Sequence, residues 1–388
     1  MKLQRNIIAT LILTLASICQ AQNVNIEQII DDVKKTYAPD KRQAILDISF
    51  RQTEGALFLN GTTSEQAAHD AIISRLDQLG VAYEDNITVM PSDIWGLVNM
   101  SVAHVRTKPG HDEEMSTELV MGQPVRILER LDNGWSRIQC PDGYIGYMIN
   151  GSMSSKKESQ MEQWRRSGRM IVTSLTQIYA YTSADSRSCR DVVTDLVNGC
   201  IVEGPLQLVG TRSEVVLPDG RKAWVDNDDI ADFEQWSQQP FSSRQILDMA
   251  YSMMGAPYLW GGTSTKMLDC SGLAKVAYFS NGIILMRDAS QQATTGTRIE
   301  AANWRSCQAG DLLFFGNAKT RRVTHVAIYD TDGFYVHSSG RVKHNSIDPK
   351  SDEYLSTPFL HAVRIAGNEG SRGITRVALH PWYFNLNK

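Results

Sequence analysis

The sequence predicts an α+β chain in which a helical segment precedes two small β-barrels and a mixed helix-and-strand domain. Three observations carry that prediction. Apolar residues recur at helical spacing before residue 93. Short apolar strands broken by Asp-Gly turns fill the stretch from Trp95 to about residue 232. Beyond residue 240, a cysteine ahead of a helical run is followed by a strand pair bearing two histidines. At 388 residues, with 42% apolar and 21% charged, the chain can bury several cores. A net charge of −4 argues against a nucleic-acid partner.

Residues 1–21 combine a short basic start (Lys2, Arg5) with an apolar run from Ile7 to Ile18 and a small-residue site closing at Ala21. This reads as a signal peptide, too short and wrongly flanked for a spanning helix. It predicts a periplasmic or extracellular protein. Cys19 follows a weak lipoprotein-like motif in which Ile18 replaces the small residue needed, so a lipid anchor is the minority alternative. No later segment is long and apolar enough to cross a bilayer. Cleavage would leave Cys140, Cys189, Cys200, Cys270 and Cys307, an odd number that allows a free thiol and at most two bridges. Cys189 with Cys200 is one pairing; five reduced thiols is the alternative.

In residues 22–93 Ile26, Ile29, Ile30 and Val33 keep helical spacing, as do Ala67, Ala68, Ala71, Ile72 and Leu76. The segment carries no chemical constellation and reads as a brace. Residues 94–152 then switch to strands, and residues 165–234 repeat the pattern. Pro141-Asp142-Gly143 with the Tyr144 strand aligns with Pro218-Asp219-Gly220 and the Arg221 strand, so one turn-and-strand module occurs twice. Polar residues 152–168 would link the copies, and residues 235–240 would lead into the last domain, 240–388.

There the stretch Leu268-Asp269-Cys270-Ser271-Gly272-Leu273 opens a predicted helix, Ser271 to Ser280, that stops at Gly282. A thiol at a helix N-terminus feels the positive end of the macrodipole, which favours the thiolate, and the backbone N–H groups there can receive an oxyanion. A lone cysteine is as often a small buried hydrophobe. Downstream, Val323 to Tyr329 and Phe334 to Ser338 read as a hairpin around Asp330-Thr331-Asp332-Gly333. Pairing Tyr329 with Gly333 would set His325 opposite His337 on one face. One imidazole could then act on the thiol while the other orients it. A slip of one residue would separate them.

These residues resemble a family. Ala256-Pro257-Tyr258-Leu259-Trp260-Gly261-Gly262, Asp269-Cys270-Ser271-Gly272, Arg287-Asp288-Ala289-Ser290-Gln291-Gln292, Ala309-Gly310-Asp311-Leu312 and Thr324-His325-Val326-Ala327-Ile328-Tyr329 followed by His337-Ser338 are similar to the NlpC-type papain-like cell-wall cysteine peptidases. Within them the chain looks most like the γ-D-glutamyl-L-diamino acid endopeptidases, also called dipeptidyl-peptidase VI. The two repeats resemble bacterial SH3-type barrels.

The resemblance implies Cys270 as nucleophile, His325 as base and His337 as the orienting third member. It also implies Tyr258, Ser271 and Ser290 as groove residues near the scissile carbonyl and the D-glutamyl group. Glu114 and Tyr144 of the first barrel, with Asp269, would meet the free α-amino group of an N-terminal L-Ala. An ammonium in a partly closed pocket needs such acceptors to offset its desolvation. Glu113 and Glu118 are the alternatives to Glu114, and Arg287 is set aside as the partner of a structural ion pair. The implied substrates are peptidoglycan stem peptides or muropeptides, cut by a monomer without metal or other cofactor. Three rivals stay open: a wall endopeptidase or amidase acting on cross-linked peptidoglycan, a wall-binding protein with a silent site, and an acyltransferase.

Overall fold

A computed structural model describes residues 25–53 and 56–386. The predicted signal peptide and Cys19 lie outside the described residues. The chain divides into two compact units, after Ser92.

The first unit holds the two expected helices. Ile26–Tyr37 is capped by the Asn25 side chain, which accepts the Gln28 N–H at 3.0 Å, and it buries Ile26, Ile30 and Val33. Gln66–Gln78 buries Ala68, Ile72 and Leu76. The unit is not helical throughout, however. Strands Leu46–Thr53 and Ala56–Thr63 pair antiparallel, and Tyr83–Val89 adds in parallel to the second. Leu57 and Leu59 bury on alternate residues, a period-two signal only two residues long. The first strand is mostly exposed beyond Leu46, so its sequence shows almost no alternation.

The second unit begins with two seven-stranded antiparallel sheets. In the first, spatial order runs Met153–Lys157, Ile94–Val98, Pro124–Arg130, Trp135–Gln139, Ile145–Ile149, Val102–Arg106, Met115–Val120. In the second it runs Ile230–Asp232, Arg169–Val172, Ile201–Val209, Arg212–Val216, Lys222–Asp226, Ile178–Tyr181, Val192–Leu196. Numbered by chain position, the two orders are identical. The repeated turn is also built identically. Asp142 Oδ1 accepts the Tyr144 N–H at 2.9 Å and Asp219 Oδ1 accepts the Arg221 N–H at 3.1 Å.

The polar linker expected at 152–168 is structured. Met153–Lys157 closes the first sheet and Glu158–Arg166 is a helix, while Phe233–Ser237 forms another. Buried Met153, Met161, Trp164, Phe233 and Trp236 anchor these pieces. Trp164, Phe233 and Trp236 join Trp95, Ile284 and Tyr383 in one aromatic cluster that ties both sheets to the last domain. Burying such rings withdraws on the order of 150–250 Å² each from water, which favours a single assembled unit.

Three helices and a six-stranded sheet build the last domain. The helices are α1 (Ser243–Ser252), α2 (Cys270–Phe279) and α3 (Ala289–Gln292). The strands are β1 (Thr297–Glu300), β2 (Leu312–Gly316), β3 (Val323–Tyr329), β4 (Phe334–Ser339), β5 (Arg341–Ser346) and β6 (Phe359–Arg364), in the order β1-β6-β2-β3-β4-β5. Leu273, Ala277 and Tyr278 of α2 pack with Phe314, Val326, Ile328 and Val336 of the sheet in one core. Among the described residues no helix is long and apolar enough to cross a membrane.

Candidate active site

Cys270 is the first residue of α2, one residue earlier than the pattern predicts, and Asp269 is the N-cap, accepting the Gly272 N–H at 2.7 Å. Gly272 is required by close approach: a Cβ there would lie 1.9 Å from the Gly262 carbonyl oxygen. The helix start is thereby pressed onto the Gly261–Gly262 turn. Asp269 is buried and fully engaged. Its Oδ2 accepts the Gly261 N–H at 3.0 Å and Arg287 Nη2 at 2.5 Å, and its Oδ1 accepts Ser271 Oγ at 3.1 Å. Arg287 is itself buried and donates to Ser271 Oγ at 2.8 Å. The ion pair expected of Arg287 is therefore made with the residue preceding the nucleophile candidate.

The hairpin of β3 and β4 corrects the predicted register. Tyr329 pairs with Tyr335 and Ile328 with Val336, two residues away from the expected pairing. Asp332 and Gly333 both take positive φ (50° and 88°), and Asp330 N–H closes the turn onto the Phe334 carbonyl at 2.9 Å. A shift of two preserves side-chain parity, so His325 and His337 stay on one face as diagonal rather than direct neighbours. His325 Nε2 lies 2.7 Å from His337 Nδ1. His337 Nε2 lies in turn 3.0 Å from Asn345 Oδ1 on β5, a contact the sequence reading missed.

The helix of Cys270 packs against β3, and the backbone N–H groups of Val326 and Ser271 favour its thiolate. Burial nevertheless pushes the thiol up to about 11, with the Asp269 carboxylate adding to it. The helix-terminus effect expected to favour the thiolate is thus outweighed by desolvation. Burial also lowers His325 to about 3, helped by His337 and Lys343. Burial thus pushes both groups in the direction of their neutral forms, the thiol upward and the imidazole downward.

One groove is lined by Cys270, Tyr258, Trp260, Asp269, Ser271, Arg287 and Ser290 together with Glu114 and Tyr144 of the first barrel. Glu114 accepts the Trp260 indole N–H at 2.6 Å. Of the neighbouring acids, Glu113 pairs with Lys108 at 3.3 Å. Glu118 is buried, accepting the Thr263 N–H and the Ser264 hydroxyl, each at 2.9 Å. Only Glu114 of the three faces the groove. Ser271 lines it too, with its hydroxyl turned into the Asp269–Arg287 pair.

The five described cysteines are all free; Cys189 is exposed and Cys200 buried, so the candidate bridge between them is not formed. Among the described residues no three metal-ligating side chains converge.

Comparison with known proteins adds to this geometry. Residues 255–364 match the model of the NlpC/P60 family, and residues 105–150 match that of the bacterial dipeptidyl-peptidase Sh3 domain. A γ-D-glutamyl-L-lysine dipeptidyl-peptidase of Bacillus cereus is 24% identical over 69% of this chain and 79% of that protein. A probable endopeptidase of Corynebacterium glutamicum is 32% identical over 42% of this chain and 71% of that protein. A crystal structure of an NlpC/P60 family protein from Bacillus cereus shares the fold, with a TM-score of 0.58 at 22% identity, covering 70% of this chain and 99% of that one.

Proposed function

Because the chain belongs to the NlpC/P60 family, we propose that it is a cysteine endopeptidase that cuts the γ-D-Glu–diamino-acid bond of peptidoglycan stem peptides bearing a free N-terminal L-Ala. The observation that carries the reading is that Glu114 and Tyr144, from a barrel, line the same groove as Cys270. A wall-targeting barrel has no need to reach the nucleophile; one that senses a substrate terminus does.

In this reading the Cys270 thiol gives its proton to His325 as sulfur attacks the γ-carbonyl carbon. The Cys270 N–H and the Tyr258 hydroxyl receive the oxyanion. The imidazolium then protonates the leaving amine as the C–N bond breaks, and water, deprotonated by His325, releases the L-Ala-γ-D-Glu dipeptide and regenerates the thiol. Ser290 contacts the D-glutamyl group. Glu114 and Tyr144 hold the ammonium of L-Ala, and Asp269, already saturated by Arg287 and backbone N–H groups, acts on it through its field. The substrate belongs outside the cytoplasmic membrane, where the basic-apolar start of the chain would send it.

The test is cleavage of L-Ala-γ-D-Glu-diaminopimelate by the mature chain. Release of L-Ala-γ-D-Glu is expected, with Cys270→Ala lowering kcat/KM by roughly 10⁴-fold or more and N-acetylation of the alanine slowing the native enzyme strongly. Equal cleavage of the acetylated peptide would remove the amino-terminal pocket. Equal release from intact sacculi would favour action on cross-linked wall.

A further inference from the structure

The three strands β3, β4 and β5 form a polar staircase. His325, His337 and Asn345 project from one face, each two residues along the register from the next: His337 pairs with Lys343, and Asn345 pairs with Tyr335. The contacts run from His325 Nε2 to His337 Nδ1 (2.7 Å), from His337 Nε2 to Asn345 Oδ1 (3.0 Å), and from Asn345 Nδ2 to the Glu353 carbonyl (3.2 Å).

The last contact decides the chemistry of the rest. A carbonyl can only accept, so the amide nitrogen of Asn345 must face Glu353 and its oxygen must face His337. The same Glu353 carbonyl also accepts the Ser346 N–H at 2.9 Å, which fixes it in place. An amide oxygen can only accept, so His337 must carry its proton on Nε2. Its Nδ1 is then bare and must accept from His325 Nε2–H. That leaves Nδ1 of His325 as its one basic nitrogen, free to take the thiol proton.

We infer that Asn345 is a positioning residue of this site, selecting through His337 the single tautomer of His325 able to act as base. The inference rests on the proposed function only for its kinetic readout. Other groups face the relay: Lys343 from β5, Asp269 at the start of α2, the Tyr335 ring 5.1 Å from that of His337, and the Phe315 ring 5.9 Å from that of His325. The two rings accept no N–H in the ring plane, and Lys343 cannot accept at all, so none of these three competes with Asn345 for the Nε2 proton.

The full chain with ¹⁵N-labelled histidine provides the direct test. At pH 7 both His325 and His337 should show protonated Nε2 and bare Nδ1; a His337 protonated on Nδ1 overturns the inference. Asn345→Ala should mix the His337 tautomers and lower kcat at least tenfold, toward the roughly 10⁴-fold cost of a wrong tautomer in a serine-protease triad, with KM within twofold. Asn345→Asp keeps the acceptor and should recover most of kcat. His344→Ala removes the neighbouring 2.8 Å contact to the Glu353 side chain and a ring contact with Phe334, and should leave kcat within twofold. Alanine and aspartate variants equally impaired, with unchanged tautomers, would reduce Asn345 to a scaffold role. A native chain that shows the expected tautomers yet cleaves no γ-D-glutamyl peptide would instead sink the proposed function.

Discussion

The two barrels share a strand order, a turn and nearly a strand sequence, yet of the two only the first contributes described residues to the groove of Cys270. Thr117-Glu118-Leu119-Val120 in the first corresponds to Thr194-Asp195-Leu196-Val197 in the second. Both acids approach the hairpin Thr263–Leu268 that leads into Asp269 and Cys270. Glu118 accepts two hydrogen bonds from Thr263 and Ser264 and is buried; Asp195 pairs with Lys266 at 2.7 Å on a partly exposed edge. At the repeated turn, Asp142 of the first copy pairs with Lys275 of α2 at 2.5 Å, whereas Asp219 of the second pairs with its own neighbour Arg221 at 2.7 Å. Identical folds thus differ in what their acids hold, and the copy whose acids are buried against the last domain is also the one whose Glu114 and Tyr144 line the groove.

That contrast can be broken or sharpened. The largest expected effect falls on the domain both barrels grip. His325 and His337 are held at about 3 and about 4 by burial. In the unfolded chain they would titrate near 6.5, so the folded state is fully favoured above that value and loses stability as pH falls toward 4 and then 3. Each group contributes at most about 1.4 kcal/mol per pH unit within its window. Urea midpoints measured from pH 7 to pH 4 should drop, and His337→Gln should flatten the slope. An unchanged slope would mean that His337 takes up its proton as readily in the folded chain as in the unfolded one.

Next comes the groove itself. Glu114→Ala should lower kcat/KM for the free L-Ala peptide by about 10–100-fold, the loss of one charge-assisted contact, and narrow the preference over the acetylated peptide. Arg221→Ala, at the Tyr144 position of the second copy, should change neither by more than twofold; a comparable loss there would mean that the second barrel serves the substrate too.

The smallest effect separates the two acids. Glu118→Ala leaves the buried Thr263 N–H and the Ser264 hydroxyl hydrogen without their acceptor and should cost about 1–3 kcal/mol in equilibrium unfolding. Asp195→Ala, with Lys266 more than a third exposed, should cost less than about 1 kcal/mol. Equal costs would make the two grips equivalent.

How much of this was legible depended on whether the signal was local. The helix of Cys270, to within one residue at its start, and the tandem Pro-Asp-Gly turns are short-range patterns and could be read directly. The hairpin register could not, because pairings two residues apart bury the same side chains and suit the same turn composition; the positive φ of Asp332 decided it. Asn345 gave no signal at all, sitting in the polar run Lys343-His344-Asn345-Ser346. Its role exists only once three strands are side by side. The N-terminal strands and the structured linker were missed for the opposite reason: single anchors such as Leu57, Met161 or Trp164 hold them, too few to set a period. The Thr-acid-Leu-Val repeat was there to be seen and marks both grips.

The hairpin Thr263–Leu268 is short, and both copies of the repeated module hold it, Glu118 at Thr263 and Ser264 and Asp195 at Lys266. The residues that run directly into Asp269 and Cys270 therefore rest on two footings of unequal strength. Loosening either one would reach the start of α2 without altering any residue of the groove.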